Sequence, residues 1–152
     1  MKLLFIVNEP AFFISHRLPI ALAAHRQGYA VHVASKSGED VKKIIDNGLI
    51  HHGIPLSRSG SNPFFELISL FKIWWLLVCL KPEIVHLVTI KPVLYGGIAA
   101  RFSPVKKVVA AVSGLGTLFL AHGFMAKVKY YIGALLYRLA LSTSKTTIIL
   151  QN

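Results

Sequence analysis

"PEIVHLVTIKPVLYGGIAARF", residues 82–102, places a short apolar run directly before a longer segment that opens on a proline. Residues 82–88 have the length and the β-branched content of a buried strand. Residues 92–102 have the length of a helix, and Pro92 fits only its first turn. A strand followed so closely by a helix is typical of a crossover connection, which predicts a parallel sheet.

The same alternation of strand and helix continues outward in both directions. The predicted strands are 2–7, 29–35, 49–56, 82–88, 106–112 and 145–152. The predicted helices are 16–28, 38–48, 64–80, 92–102 and 123–142. Right-handed crossovers place such helices on both faces of an open sheet. We therefore expect one α/β domain over residues 1–152, with a doubly wound, Rossmann-like parallel sheet of about six strands.

The chain is unusually apolar, with 54% hydrophobic residues and a mean hydropathy of +0.58. No apolar stretch reaches the roughly 18 uninterrupted residues of a membrane span. The most apolar helix, 64–80, is interrupted by Glu66 and Lys72, which favours a covered amphipathic helix. Its single cysteine, Cys79, excludes an internal disulfide framework and is predicted to be a buried, inert thiol.

The charge is strongly positive, with 17 Lys and Arg against 6 Asp and Glu, and no acidic residue follows Glu83. A field of one sign favours an anionic partner, such as nucleic acid, a phosphorylated substrate or an anionic bilayer. Nucleic-acid binding requires basic residues interleaved with stackable aromatics on one surface. Here the aromatics concentrate in two apolar helices with flanking Lys and Arg, which favours a membrane interface over nucleic acid.

Candidate ligand-binding residues fall where predicted strands end, the edge at which open α/β sheets bind ligands. The first such segment, 8–15, is predicted to be a loop, and its Ser15 can cap the following helix. Within this segment and directly after it, we expect four polar side chains to contact the ligand: Asn8, Glu9, His16 and Arg17. Further candidates follow the third and fourth strands, namely Ser57, Arg58, Lys91 and Tyr95.

Gly96 and Gly97 are unfavourable inside a helix, so they permit either close packing or the approach of a ligand. The histidines do not predict a metal site. His51 and His52 are adjacent on a strand and must point to opposite faces. His86 alternates with apolar neighbours, as a core histidine does. Neither an H-x-x-x-H spacing nor a cysteine pair is present.

"VSGLGTLF", residues 112–119, resembles a phosphate-binding glycine turn, because it directly follows a β-branched run. It follows the fifth strand rather than the first, and it lacks the third glycine of G-x-G-x-x-G. No acidic residue ends the second strand to hold a ribose, and no P-loop is present. We interpret Ser113, Gly114 and Gly116 as the small-residue wall of a cleft rather than as a dinucleotide site.

Four stretches together resemble the amino-terminal domain of bacterial family-4 glycosyltransferases, which have the GT-B fold. They are LLFIVNEPAFFISHRLPIALAAHRQGYAVHVAS, LSRSGSNPFFEL, KPEIVHLVTIKPVLYGGIAARF and VVAAVSGLGTLF. The likeness is greatest to the subgroup that elongates polyprenyl-diphosphate-linked saccharides for O-antigen lipopolysaccharide, capsule and protein glycosylation. In GT-B enzymes the amino-terminal domain mostly binds the acceptor, whereas the carboxyl-terminal domain binds the nucleotide sugar.

The resemblance implies that this sequence is the acceptor-binding half of such an enzyme and transfers no sugar alone. The second domain, with its E-x-x-x-x-x-x-E motif, is absent from the sequence. The intact enzyme would move a hexose or N-acetylhexosamine from a UDP-sugar to a lipid-linked saccharide, with retention and without a metal or other cofactor. It would act in the cytoplasm, peripherally on the inner face of the plasma membrane.

Within this reading, Glu9, His16 and Ser113 are expected to contact sugar hydroxyls, and Arg17, Arg58 and Lys91 to contact phosphate. Many relatives keep a histidine after the fifth strand, where this sequence has the glycine turn, so no catalytic residue is assigned. Two alternatives stay open. One is a stand-alone membrane-associated subunit that recruits a separate donor-binding chain, and the other is a basic nucleic-acid-binding module.

Overall fold

The computed structural model describes residues 1–56, 63–113 and 124–151 as alternating strands and helices. The strands are β1 Lys2–Ile6, β2 Ala30–Ser35, β3 Ile50–Gly53, β4 Ile84–Val88, β5 Lys107–Ser113 and β6 Thr146–Gln151. The helices are α1 Pro10–His16, α2 Leu18–Arg26, α3 Val41–Asp46, α4 Pro63–Leu80, α5 Ile90–Arg101 and α6 Phe124–Leu141.

The six strands form one sheet in the order β3-β2-β1-β4-β5-β6, and every neighbouring pair is parallel. The chain first winds outward from β1 to β3 and then returns to add β4 on the other side of β1. The order therefore reverses between β1 and β4, the switch point where such sheets open a crevice. This arrangement confirms the predicted doubly wound, Rossmann-like fold.

Each face of the sheet has its own hydrophobic core, because successive side chains of a strand point to opposite faces. Leu4 and Ile6 of β1 pack with buried residues of α4, α5 and α6. Leu3 and Phe5 pack on the other face with Phe13, Ala21 and Ile44, which lie on α1, α2 and α3. Both faces of the central strands are thus covered, which explains their continuous apolar sequence.

Three local predictions are wrong. Residues 10–16 form helix α1 rather than a loop, since Pro10 occupies the first helical turn, where its missing N–H costs nothing. Ser15 does not cap the next helix, because its hydroxyl donates to the carbonyls of Ala11 and Phe12 within α1. Cys79 is exposed rather than buried, since it lies on the side of α4 that lines an open cavity beside β3.

Gly96 and Gly97 let α5 approach its neighbours closely, which favours the packing interpretation. A Cβ on Gly97 would lie 2.6 Å from the carbonyl oxygen of Ala140 on α6. A Cβ on Gly96 would lie 2.3 Å from a methyl of Leu87, a side chain that can shift. The backbone contact of Gly97 cannot relax in this way without moving α6.

We expect Gly97→Ala to lower the free energy of unfolding by about 2 kcal/mol, because overpacking outweighs the gain in helix propensity. Urea unfolding of the two proteins measures the difference. Gly38→Ala is the matched control, since nothing lies within 4 Å of its added Cβ. A Gly97→Ala protein as stable as the Gly38→Ala protein would contradict the close α5–α6 contact.

Candidate functional site

A crevice of about 910 Å³ opens at the switch point, above the carboxyl ends of β1 and β4. It is lined by the segments that follow these two strands. One wall carries Asn8, Glu9 and the first turns of α1, and the other carries Thr89 and Lys91 at the start of α5. The described residues therefore place polar groups of both strand ends around one cavity.

Glu9 and Lys91 give this crevice opposite charges held by different partners. The Glu9 carboxylate lies 2.7 Å from the Lys36 ammonium, which follows β2. The Lys91 ammonium lies 2.5 Å from one oxygen of Glu66 on α4, with both side chains about four-fifths buried. Each charge is thus fixed by a neighbouring element, as a preorganised polar site requires.

Glu66 also accepts a hydrogen bond of 2.7 Å from the Tyr95 hydroxyl, so it joins α4 to two positions of α5. Burial acts to raise the pKa of Glu66, but the hydrogen bonds from Lys91 and Tyr95 outweigh it and lower that pKa. Burial, and then the Glu66 carboxylate, raise the pKa of Tyr95. At neutral pH the Glu66 side chain is therefore a carboxylate, held by the Lys91 side chain and by the protonated phenol of Tyr95.

Thr89 lies between β4 and α5 with a backbone φ of 74°, a value that residues other than glycine rarely adopt. Its side-chain oxygen is buried and has no hydrogen-bond partner within the described part of the chain. The same holds for Oδ1 of Asn8, a residue that is only 8% exposed. Both oxygens belong to residues that line the crevice.

The structure brings Asn8, Glu9 and Lys91 together at the crevice, as expected from their positions after β1 and β4. His16 stacks on Phe12, a lining residue, with 4.2 Å between ring centroids. Tyr95 lies farther along α5 and is joined to the crevice through Glu66, which also holds Lys91.

Arg17 does not line the crevice. Its side chain is only 6% exposed, and its charge acts on His86 inside the sheet. Ser113 is the last residue of β5, opposite Gln151 of β6, and its side chain lies outside the described part. The remaining candidates lie outside the described residues: Ser57, Arg58, Gly114 and Gly116.

Sequence reasoning missed Thr89 and the role of Glu66. Thr89 is the first residue after a predicted strand and stands two residues before Lys91, so its position at the sheet edge could have identified it. Glu66 was interpreted only as an interruption of an apolar helix. A single carboxylate in such a helix also signals a buried cation nearby, because an unpaired charge is rarely buried.

The histidines form a separate group on β2 and β3. His32 Nδ1 and His52 Nε2 lie 3.0 Å apart, and His51 Nε2 lies 2.9 Å from the hydroxyl of Ser35. His51 and His52 therefore point to opposite faces, as predicted. Burial is the main cause that lowers the pKa of His32, His51 and His52. In the described residues, no three His, Cys, Asp or Glu side chains are close enough to hold a metal ion.

The sheet order and the crevice at the switch point define the class of the fold: a Rossmann-like α/β sheet that matches GT-B structures. Solved structures with this fold include MurG of Acinetobacter baumannii, with a TM-score of 0.61 and 19% identity over 78% of this chain and 38% of that one. UDP-GlcNAc 2-epimerase of Methanocaldococcus jannaschii has a TM-score of 0.62 and 20% identity over 100% and 40% of the two chains.

The chain belongs to the glycosyl transferase 4-like family, whose pattern it matches over residues 2–152. A curated relative is the N,N'-diacetylbacillosaminyl-diphospho-undecaprenol alpha-1,3-N-acetylgalactosaminyltransferase of Campylobacter jejuni. It is 27% identical over 140 residues, which are 92% of this chain and 37% of the relative. The chain thus spans well under half the length of this relative, and the resemblance to family-4 glycosyltransferases is confirmed.

Proposed function

We propose that this chain is the acceptor-binding half of a glycosyltransferase that extends a polyprenyl-diphosphate-linked saccharide. The observation that carries the proposal is the crevice between β1 and β4, lined by Asn8, Glu9, Thr89 and Lys91. Its polar side chains suit a sugar, and a lysine beside a helix N-terminus suits a phosphate. The Campylobacter jejuni relative, whose name specifies a diphospho-undecaprenol-linked sugar, supports this acceptor class.

The donor, a UDP-sugar, would be bound mainly by a second domain, and transfer would occur between the two domains with retention of configuration. This division of labour gives the chain a defined role by itself. It would bind the acceptor and transfer nothing. Neither a metal nor an organic cofactor enters the proposal.

A test compares two ligands on the purified chain. A farnesyl-diphospho-N-acetylglucosamine, as a soluble acceptor, is expected to bind at least tenfold more tightly than UDP-N-acetylglucosamine, because the crevice supplies acceptor contacts only. Isothermal titration measures both affinities. Tighter binding of the nucleotide sugar, or transfer of its sugar by this chain alone, would contradict the proposed division.

A second part of the proposal is that helix α4 rests on the cytoplasmic surface of the plasma membrane. Within the described segments, α4 alone has the length and composition to cross a membrane, yet only 17% of it is buried. Ile73 and Leu77 pack on the sheet, whereas five large apolar residues are 56–67% exposed. We call these five residues the α4 outer face: Phe64, Phe65, Leu67, Phe71 and Trp75.

Polar contacts hold α4 against the domain and favour an orientation parallel to the membrane surface. The Ser69 hydroxyl donates to the carbonyl of Pro55, and the Trp74 indole donates to that of Phe102. Glu66 adds its contacts to Lys91 and Tyr95. A helix anchored on one side and apolar on the other suits an interfacial position. The net charge of +11 would strengthen attraction to anionic lipids.

A further inference from the structure

Two buried oxygens at the crevice lack hydrogen-bond partners in the described part of the molecule: Asn8 Oδ1 and Thr89 Oγ1. Folded proteins rarely leave such atoms unpaired, and an unpaired atom that lines a cavity is explained by a water or ligand that occupies the cavity. Asn8 is more than nine-tenths buried, so bulk water is a poor substitute for that partner. The crevice therefore has hydrogen-bonding capacity that the described residues do not use.

The two oxygens belong to neighbouring positions. Strands β1 and β4 are parallel and pair Phe5 with His86 and Ile6 with Leu87. Continuing this register by two residues places Asn8 opposite Thr89. The φ of 74° at Thr89 requires a conformation that glycine would adopt more easily, and strain of this kind is retained mainly at functional sites.

The chemistry of this pair selects a hydroxyl as its ligand. Asn8 Oδ1 only accepts hydrogen bonds, so it disfavours an anion, while Thr89 Oγ1 both donates and accepts. A cation is disfavoured because Glu9, the carboxylate among the described lining residues, is already engaged by Lys36. Alcohol groups meet all of these conditions.

We propose that Asn8 and Thr89 form a hydroxyl-binding pair that recognises the sugar of the acceptor. A sugar hydroxyl donates to Asn8 Oδ1, and the Thr89 hydroxyl bonds to the same or the adjacent sugar oxygen. Lys91, two residues beyond Thr89, then meets the phosphate attached to that sugar. This inference rests on the proposed function and makes Thr89 a residue that determines acceptor specificity.

The test is a titration of the ¹⁵N-labelled chain, followed by NMR, with N-acetylglucosamine 1-phosphate and, separately, with inorganic phosphate. Thr89→Val keeps the branched shape but removes the hydroxyl. We expect it to weaken binding of the sugar phosphate at least fivefold and to leave phosphate binding unchanged. Thr89→Ser restores the hydroxyl and should recover most of the affinity.

Thermal unfolding separates this role from a structural one. Because Thr89 Oγ1 has no partner among the described residues, Thr89→Val should be no less stable than the parent protein. If the valine variant and the parent bound the sugar phosphate with equal affinity, the proposed hydroxyl-binding role of Asn8 and Thr89 would be wrong, and the proposed function would still stand. Equal weakening by valine and serine would also overturn that role. If the sugar phosphate perturbed no resonance of Asn8, Thr89 or Lys91, both the hydroxyl-binding pair and the proposed acceptor-binding function would be contradicted.

Discussion

Replacing Phe64, Phe71 and Trp75 by serine is expected to lower binding of the chain to anionic vesicles about a hundredfold. All three side chains belong to the α4 outer face and are more than half exposed. Burial of each in the lipid interface contributes about 1 kcal/mol, a conservative share of a full aromatic side chain. Three such losses correspond to about two orders of magnitude in the partition coefficient. Co-sedimentation with vesicles of phosphatidylglycerol and phosphatidylcholine measures it.

The matched control is the double variant Ile20→Ser and Ile45→Ser. These side chains are about half exposed, and they lie on α2 and α3, on the opposite face of the sheet. The control should bind vesicles as the parent does. Equal losses in both variants would show that α4 is not the docking surface. Oligonucleotide binding that exceeds vesicle binding at the same salt would favour the nucleic-acid alternative, since only vesicle binding depends on the apolar helix.

Acidification is expected to destabilise the fold through His86, by up to about 3 kcal/mol between pH 6.5 and pH 4. Burial, and then the nearby charge of Arg17, lower the pKa of His86 to about 4, against 6.5 in an unfolded chain. Its ring stacks on Phe5, and its Nε2 atom is buried with no hydrogen-bond partner in the described segments. Between pH 6.5 and pH 4, His86 therefore binds a proton in the unfolded chain but stays neutral in the folded protein.

The sign of the effect follows from this difference in proton binding. Stability from His86 is complete above pH 6.5, falls as the pH decreases toward 4, and changes no further below that pH. Urea unfolding of the parent and of His86→Phe across this range isolates the contribution, because His32, His51 and His52 titrate in both proteins. The two profiles should diverge by at most about 3 kcal/mol at pH 4. Parallel profiles would contradict the burial of a neutral His86.

The sheet could be predicted from sequence because its strands have a clear sequence pattern. Runs such as 2–7 and 106–112 are continuously apolar, and each is followed by a segment with helical spacing. The parallel, doubly wound arrangement followed from the crossover rule and was confirmed. Helix α1 was missed because its seven residues begin at a proline and hold two adjacent phenylalanines, a pattern that periodicity cannot distinguish from a loop.

The candidate site could be predicted only in part. The common location of Asn8, Glu9 and Lys91 could be predicted, because their positions after β1 and β4 fix them at one edge of the sheet. The direction of a side chain is decided by tertiary packing, so neither the burial of Arg17 nor the exposure of Cys79 could be predicted from the sequence. Helix α4 is apolar on nearly all sides, and the sequence does not show which side the sheet covers.

The central claim, that the crevice between β1 and β4 binds the acceptor, is tested most directly by photo-cross-linking. The probe is farnesyl-diphospho-N-acetylglucosamine with a diazirine on its N-acyl group, and tryptic mass spectrometry locates the modified residues. The account predicts labels within residues 8–15 and 89–91, lost on competition with the unmodified acceptor and retained with UDP-N-acetylglucosamine. Labels concentrated elsewhere, such as the α2 or α3 surface, or protection by the nucleotide sugar would contradict it.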